Sequence, residues 1–168
     1  VPIITDNFKQ IFSPETAYQV TSMLEGVIKR GTGRGLRDLN LDIAGKTGTT
    51  NKNTDTWFIG YTSKLVIGVY VGLDNPKSLG KYETGAKTAM PIFKDFVKKG
   101  IKKQDARPFK VPKNITMMVI DPITGKKASF GSKETIIEAY KQDSNYEKNP
   151  FTILLFRYFT SNTKLKTK

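Results

Sequence analysis

The chain has 168 residues, with 28 Lys plus Arg against 15 Asp plus Glu, a net charge of +13, and 38% hydrophobic and 11% aromatic content. That composition describes a folded domain long enough to bury a core, and it excludes collagen-like, low-complexity and wholly disordered chains. Because Cys and His are both absent, zinc fingers, Fe–S clusters, thiol nucleophiles and His-based triads are excluded, and catalysis would rest on Lys, Ser, Thr, Tyr or a carboxylate.

Ser13-Pro14-Glu15 predicts a helix start, with Ser at the N-cap, Pro at the first helical position and an acid in the first turn. Ala17, Val20, Leu24, Val27 and Ile28 then recur at helical spacing as one apolar stripe, Lys29 and Arg30 fall in the last turn, and Gly31 supplies the stop. Gly31 to Gly35 is a loop. Three strands are predicted next. Leu39, Leu41 and Ile43 alternate with polar residues and run into Gly45-Lys46-Thr47-Gly48-Thr49. Thr56 to Thr62 is apolar on both parities, as for a strand covered on each side, and Leu65 to Leu73 is a third, β-branched run. The short links between them imply an antiparallel meander, since parallel pairs need long crossovers.

After a loop from Asp74 to Thr84, the residues Ala86, Ala89, Met90, Phe93, Phe96 and Val97 mark one face of a second helix, which Pro91 should bend or delay. Pro108 and Pro112 predict a linker, Ile115 to Ile120 a strand entering a turn at Asp121-Pro122, and Glu134 to Tyr140 a short helix. The longest apolar run, Phe151 to Phe159, is far short of the ~20 residues a helix needs to cross a bilayer. Because the chain opens Val1-Pro2-Ile3-Ile4, with neither Met nor a basic segment, it is expected to begin inside a longer polypeptide.

The positive charge invites a nucleic-acid reading, but 23 of the 28 cations are Lys and only 5 are Arg, the residue that reads bases and phosphates bidentately. The densest stretch, Lys94 to Lys113, has several cations where a helix would face solvent. It supports, at most, a cationic module that binds anionic wall polymer or nucleic acid, and no nucleic-acid partner is expected.

Gly45-Lys46-Thr47 matches the end of a phosphate-binding loop, but Asn40 stands where its first Gly belongs, and the Thr- and Asn-rich residues that follow are poor helix formers. Read as K-T-G-T on a strand, Lys46 and Gly48 fall on one face and Thr47 and Thr49 on the other. Beside a cleft, that set offers a positive charge, close approach to the backbone and hydroxyl donors, which suits a carboxylate and a developing oxyanion.

The flanks give the motif its context. S-P-E-T-A-Y-Q-V-T-S-M-L from Ser13, R-G-T-G-R-G from Arg30, A-G-K-T-G-T-T-N from Ala44, D-T-W-F-I-G-Y-T from Asp55, D-N-P-K-S-L-G from Asp74 and E-T-G-A-K-T-A-M-P-I-F from Glu83 stand in the order and spacing of class A penicillin-binding proteins of the 1A type, which this chain closely resembles from about Ile11 to Tyr140. K-T-G is one of the motifs of that family. The resemblance implies an α+β fold, a mainly antiparallel sheet flanked by helices. It makes residues 1–107 the C-terminal part of a transpeptidase domain, 108–150 a C-terminal extension and 151–168 a tail of unassigned role. It gives Lys46 and Thr49 catalytic roles, with the Thr49 N–H as half of an oxyanion hole, and makes Thr47, Gly48 and Thr49 the substrate-binding residues.

In that family a Ser attacks the D-Ala-D-Ala amide of a peptidoglycan stem peptide, D-Ala leaves, and the acyl group passes to a neighbouring amine. β-Lactams acylate the same Ser. No metal or organic cofactor takes part. The remaining implied partners are the upstream part of the transpeptidase and the glycosyltransferase domain, and the implied location is the cell envelope, on the periplasmic side of the inner membrane. The family's S-x-x-K and S-x-N precede K-T-G. Here Ser78-Leu79-Gly80-Lys81 matches S-x-x-K only after K-T-G and in a loop, no S-x-N occurs, and Thr5-Asp6-Asn7 is its nearest imitation. The chain is therefore expected to carry one wall of the site without the nucleophile, to be inactive alone, and to expose apolar surface and strand edges.

Overall fold

A computed structural model describes residues 9–102 and 106–142. The first helix, α1 (Pro14–Arg30), begins as its sequence dictates: the Ser13 side chain accepts a hydrogen bond from the Thr16 N–H at 3.3 Å. It ends where the Gly31 N–H donates to the Val27 carbonyl at 3.0 Å. The apolar stripe expected along α1 is buried only toward its C-terminal end, at Val27 and Ile28, whereas Ala17 and Val20 are exposed. The intervening polar positions explain why: Gln19 donates to the Ala139 carbonyl and Lys141 donates to the Thr16 hydroxyl, so this half of the helix makes polar contacts with the C-terminal strands.

Between α1 and the sheet the chain makes a 3-10 helix over Arg34–Leu39, and Asn40 adopts the left-handed conformation at φ 52°. The strand expected from Leu39 therefore starts only at Ala44, because a left-handed residue breaks an extended run. The alternating apolar residues still reach the core, with Leu36 and Ile43 buried and Leu39 and Leu41 packed against them.

The strands β1 (Ala44–Thr49), β2 (Asp55–Tyr61) and β3 (Val66–Gly72) form an antiparallel sheet in that spatial order. Lys46 pairs with Ile59, Gly48 with Trp57, and Trp57 with Tyr70, so these residues share one face. The other face carries Phe58, fully buried, against α2 (Ala89–Gly100), whose Phe93 ring meets it edge-on at 4.7 Å. Ala89, Met90, Phe93 and Val97 are the buried face of α2 and join Phe58, Ile28, Leu36 and Ile43 in one core. Pro91 sits in the first turn, where its missing N–H costs no helical bond, so the helix starts late and is not broken. Phe96, expected on that face, is 53% exposed.

The expectation that β2 is covered on each side is corrected. Trp57 and Ile59 are 43% and 49% exposed, and Val66 on β3 is 70% exposed. Helix α2 covers one face, while on the other α1 reaches the sheet at the Tyr61 end, where the Thr21 and Tyr61 hydroxyls lie 3.0 Å apart. Of the basic stretch, Lys94 pairs with Asp38 at 2.8 Å and Lys99 with Asp95 at 2.7 Å.

The C-terminal part is a separate antiparallel pair, β4 (Ile115–Ile120) and β5 (Ile136–Lys141). The turn after β4 is held by the Asp121 carboxylate, which accepts from the N–H groups of Ile123 and Thr124. The helix expected over Glu134 to Tyr140 is instead strand β5. Its Ile136, Ile137 and Tyr140 are strand formers that pair across to Ile120, Val119 and Thr116. This pair is fastened to α1 by Arg30 and Glu138, 2.8 Å apart. The Phe151 tail and the Thr5-Asp6-Asn7 segment lie outside the described residues, and no described helix is long and apolar enough to cross a membrane.

Candidate functional site

The K-T-G-T residues lie on β1, an edge strand of the three-stranded sheet. The strand continues through Gly45-Lys46-Thr47 and is followed by a turn at residues 51–54, so the helix that a phosphate-binding loop requires is not there. Lys46 is half-buried, and burial pulls its pKa below the ordinary lysine value, since desolvation penalises the charged form. Its Nζ donates to the Thr47 carbonyl at 2.8 Å and, more weakly, to Thr47 Oγ1 at 3.4 Å. Gly48 faces Trp57 across the register, and a Cβ there would lie 3.2 Å from the Trp57 Cβ.

Both threonines have partners that the motif by itself does not reveal. Thr47 Oγ1 lies 2.9 Å from Thr32 Oγ1 in the Gly31–Gly33 turn between α1 and the 3-10 helix. Thr49 Oγ1 accepts a hydrogen bond from the Gly85 N–H at 3.1 Å. Gly85 approaches the sheet so closely that a Cβ would collide with the Trp57 carbonyl oxygen and stand 2.6 Å from the Gly48 carbonyl oxygen. The signals for these contacts were present in G-T-G after α1 and in E-T-G-A before α2, but their meeting with β1 depends on tertiary geometry.

Ser78 and Lys81 lie in the loop after β3, and no helix turn places them on one face. Gly80, at φ 133°, donates its N–H to Ser78 Oγ, and the Asn53 side chain grips the carbonyls of Gly80 and Lys81 at 3.0 and 3.1 Å. Lys81 Nζ stands 5.6 Å from the Tyr82 ring centroid. A surface cleft lined by Glu25, Lys29, Arg37 and Asp42 carries both signs of charge and includes none of Lys46 to Thr49.

Comparison with known proteins gives this geometry a context. Residues 5–98 match the family model described as the penicillin-binding protein transpeptidase domain. The chain is 52% identical over 124 residues to penicillin-binding protein 1A of Rickettsia typhi, covering 74% of this chain and 15% of that protein. It is 42% identical over 136 residues to penicillin-binding protein 1A of Pseudomonas aeruginosa, covering 80% of this chain and 16% of that protein. Among solved structures, penicillin-binding protein 1A from Haemophilus influenzae superposes with a TM-score of 0.67 at 32% identity, over 76% of this chain and 20% of that one. The chain thus spans about 15% of the length of the curated relatives it matches. With a family model covering more than half of its residues, and a solved relative sharing its fold, the chain belongs to the penicillin-binding protein transpeptidase family.

Proposed function

We propose that Lys46-Thr47-Gly48-Thr49 forms one wall of the serine acyl-transfer site of a bifunctional, 1A-like penicillin-binding protein, a D,D-transpeptidase that cross-links peptidoglycan stem peptides. The observation that carries this reading is a half-buried lysine on an edge strand, flanked by two hydroxyls and a residue without a side chain. Lys46 supplies positive charge to the cleft, favouring the terminal carboxylate of a D-Ala-D-Ala stem peptide and assisting proton movement near the nucleophile. The hydroxyls of Thr47 and Thr49 donate to that carboxylate. Gly48 lets the substrate lie against the backbone, and the Thr49 N–H stabilises the oxyanion formed when the serine adds to the amide carbonyl. Collapse of that adduct breaks the C–N bond, D-Ala departs with the proton given up by the serine, and an amine of a second stem peptide takes the acyl group. A β-lactam enters the same site and stops at the acyl-enzyme.

The serine itself and its S-x-x-K lysine come, in this reading, from outside these 168 residues, and the isolated chain is inactive. Residues 1–107 are the C-terminal part of the transpeptidase domain and 108–150 an extension to it, a division supported by the separate β4–β5 pair. The partners are stem peptides, β-lactams, and the upstream transpeptidase and glycosyltransferase parts, and the place of action is the periplasmic side of the inner membrane.

The test is a chimaera in which this chain replaces the matching stretch of the Rickettsia typhi protein. Lys46→Ala is expected to slow acylation by penicillin by one to two decades, the worth of a charge-assisted contact of about 1.5–3 kcal/mol. Lys81→Ala should change the rate less than about twofold, as expected for an exposed charge. A larger loss from Lys81→Ala would overturn the assignment.

A further inference from the structure

We infer that Thr32 is a positioning residue for the carboxylate-binding hydroxyl of Thr47, an inference that rests on the reading of β1 just given. A threonine hydroxyl has two acceptor lone pairs and one proton. Around Thr47 Oγ1 stand Lys46 Nζ at 3.4 Å, which can only donate, and Thr32 Oγ1 at 2.9 Å. When Thr32 also donates, both lone pairs are filled, and the Thr47 proton is left for an acceptor outside the protein. An anion such as a substrate carboxylate is that acceptor. Without Thr32 the Thr47 hydroxyl is free to turn, and its proton is no longer committed to the cleft.

The loop that carries Thr32 is fixed to the end of α1. The N–H groups of both Gly31 and Gly33 donate to the Val27 carbonyl at 3.0 Å. A Cβ at Gly33 would stand 2.6 Å from Ile28 Cδ1, and one at Gly31 would stand 3.0 Å from the Val27 carbonyl oxygen. Two clamped glycines thus hold Thr32 from either side, so that α1 ends by presenting a hydroxyl to β1. With Thr32 as the donor, Thr47 Oγ1 and Thr49 Oγ1 are alike: the first takes a proton from the hydroxyl 2.9 Å away, as the second accepts from the Gly85 N–H. The pair becomes a two-proton clamp for one carboxylate.

The experiment uses the Rickettsia typhi chimaera and two β-lactams, a penicillin and its methyl ester, which lacks the carboxylate. Thr32→Val should lower the acylation rate constant for the penicillin about tenfold while changing that for the ester less than about twofold, and Thr32→Ser should restore the parent ratio. Equal losses with both compounds would mean a merely structural role and would overturn the inference. If Thr47→Val lowers the penicillin-to-ester ratio and Thr32→Val does not, the inference on Thr32 fails while the reading of β1 stands. If Thr47→Val also leaves the ratio unchanged, the reading of β1 fails.

Discussion

Replacing Gly85 by Ala tests whether the loop before α2 is built against the site strand. The Gly85 φ lies outside the left-handed range, so the cost of a methyl group is steric and not conformational. The added carbon would meet the Trp57 carbonyl oxygen, and it would approach Gly48 to 2.6 Å at the carbonyl oxygen and 3.2 Å at the amide nitrogen. All of these are backbone atoms of paired strands, which cannot swing aside as a flexible side chain would. Overpacking of this kind costs about 1–3 kcal/mol, and a displaced Gly85 N–H that no longer reaches Thr49 Oγ1 adds about 1 kcal/mol. Trp57 is the single tryptophan of the chain and lies at the point of collision, so urea unfolding followed by its fluorescence reads the effect directly. With a urea dependence of about 1–3 kcal/mol per molar, the midpoint should fall by about 1 M at unchanged slope. The control is Gly131→Ala, where a Cβ meets nothing within 4 Å, and its midpoint should hold or rise slightly. Equal midpoints for Gly85→Ala and the parent would refute the argument.

Two further outcomes are expected. Incubated with labelled penicillin, the 168-residue chain alone should give no covalent adduct by mass spectrometry, because Ser78 and Lys81 occupy a loop; a stable adduct at Ser78 would contradict this. Burial raises the Glu138 carboxyl above its ordinary value of 4.5 despite the Arg30 guanidinium beside it, so the folded state holds that proton more tightly than the unfolded one. Stability from this group is therefore full below about pH 4.5 and declines as pH rises toward the folded value. Glu138→Gln should remove that decline in thermal melts, and an unchanged pH profile would show that another group controls it.

Local chemistry made α1, the meander, α2 and β4 legible. Ser13-Pro14 caps a helix whatever surrounds it, and short links force neighbouring strands to run antiparallel. Leu39-Asn40-Leu41 misled because alternation cannot distinguish an extended strand from a 3-10 turn whose leucines reach the same core. Only the left-handed Asn40 separates them, and Asn tolerates both conformations. Glu134 to Tyr140 misled for another reason: its register with β4 is a long-range pairing that no window of the sequence contains. At the site, Lys46 to Thr49 were readable as a motif. Thr32 and Gly85 were not, since they lie 15 and 36 positions from the hydroxyls they contact.

The attachment of β5 to α1 also bears on the order of assembly during synthesis. Arg30 and Glu138 are 108 positions apart, and Thr16 and Lys141 are 125 apart. Everything between them, the sheet and α2 included, is made before the second partner exists. At a translation rate of about 5–20 residues per second, the Arg30 guanidinium waits roughly 5–20 s for its carboxylate. Helix α1 can settle on β1 during that interval, whereas its Gln19 and Thr16 side must stay hydrated until β5 arrives. That polar surface suits the delay: a helix flank that waits more than a hundred residues to be covered is less prone to stray association when it carries glutamine, threonine and arginine than when it carries leucine.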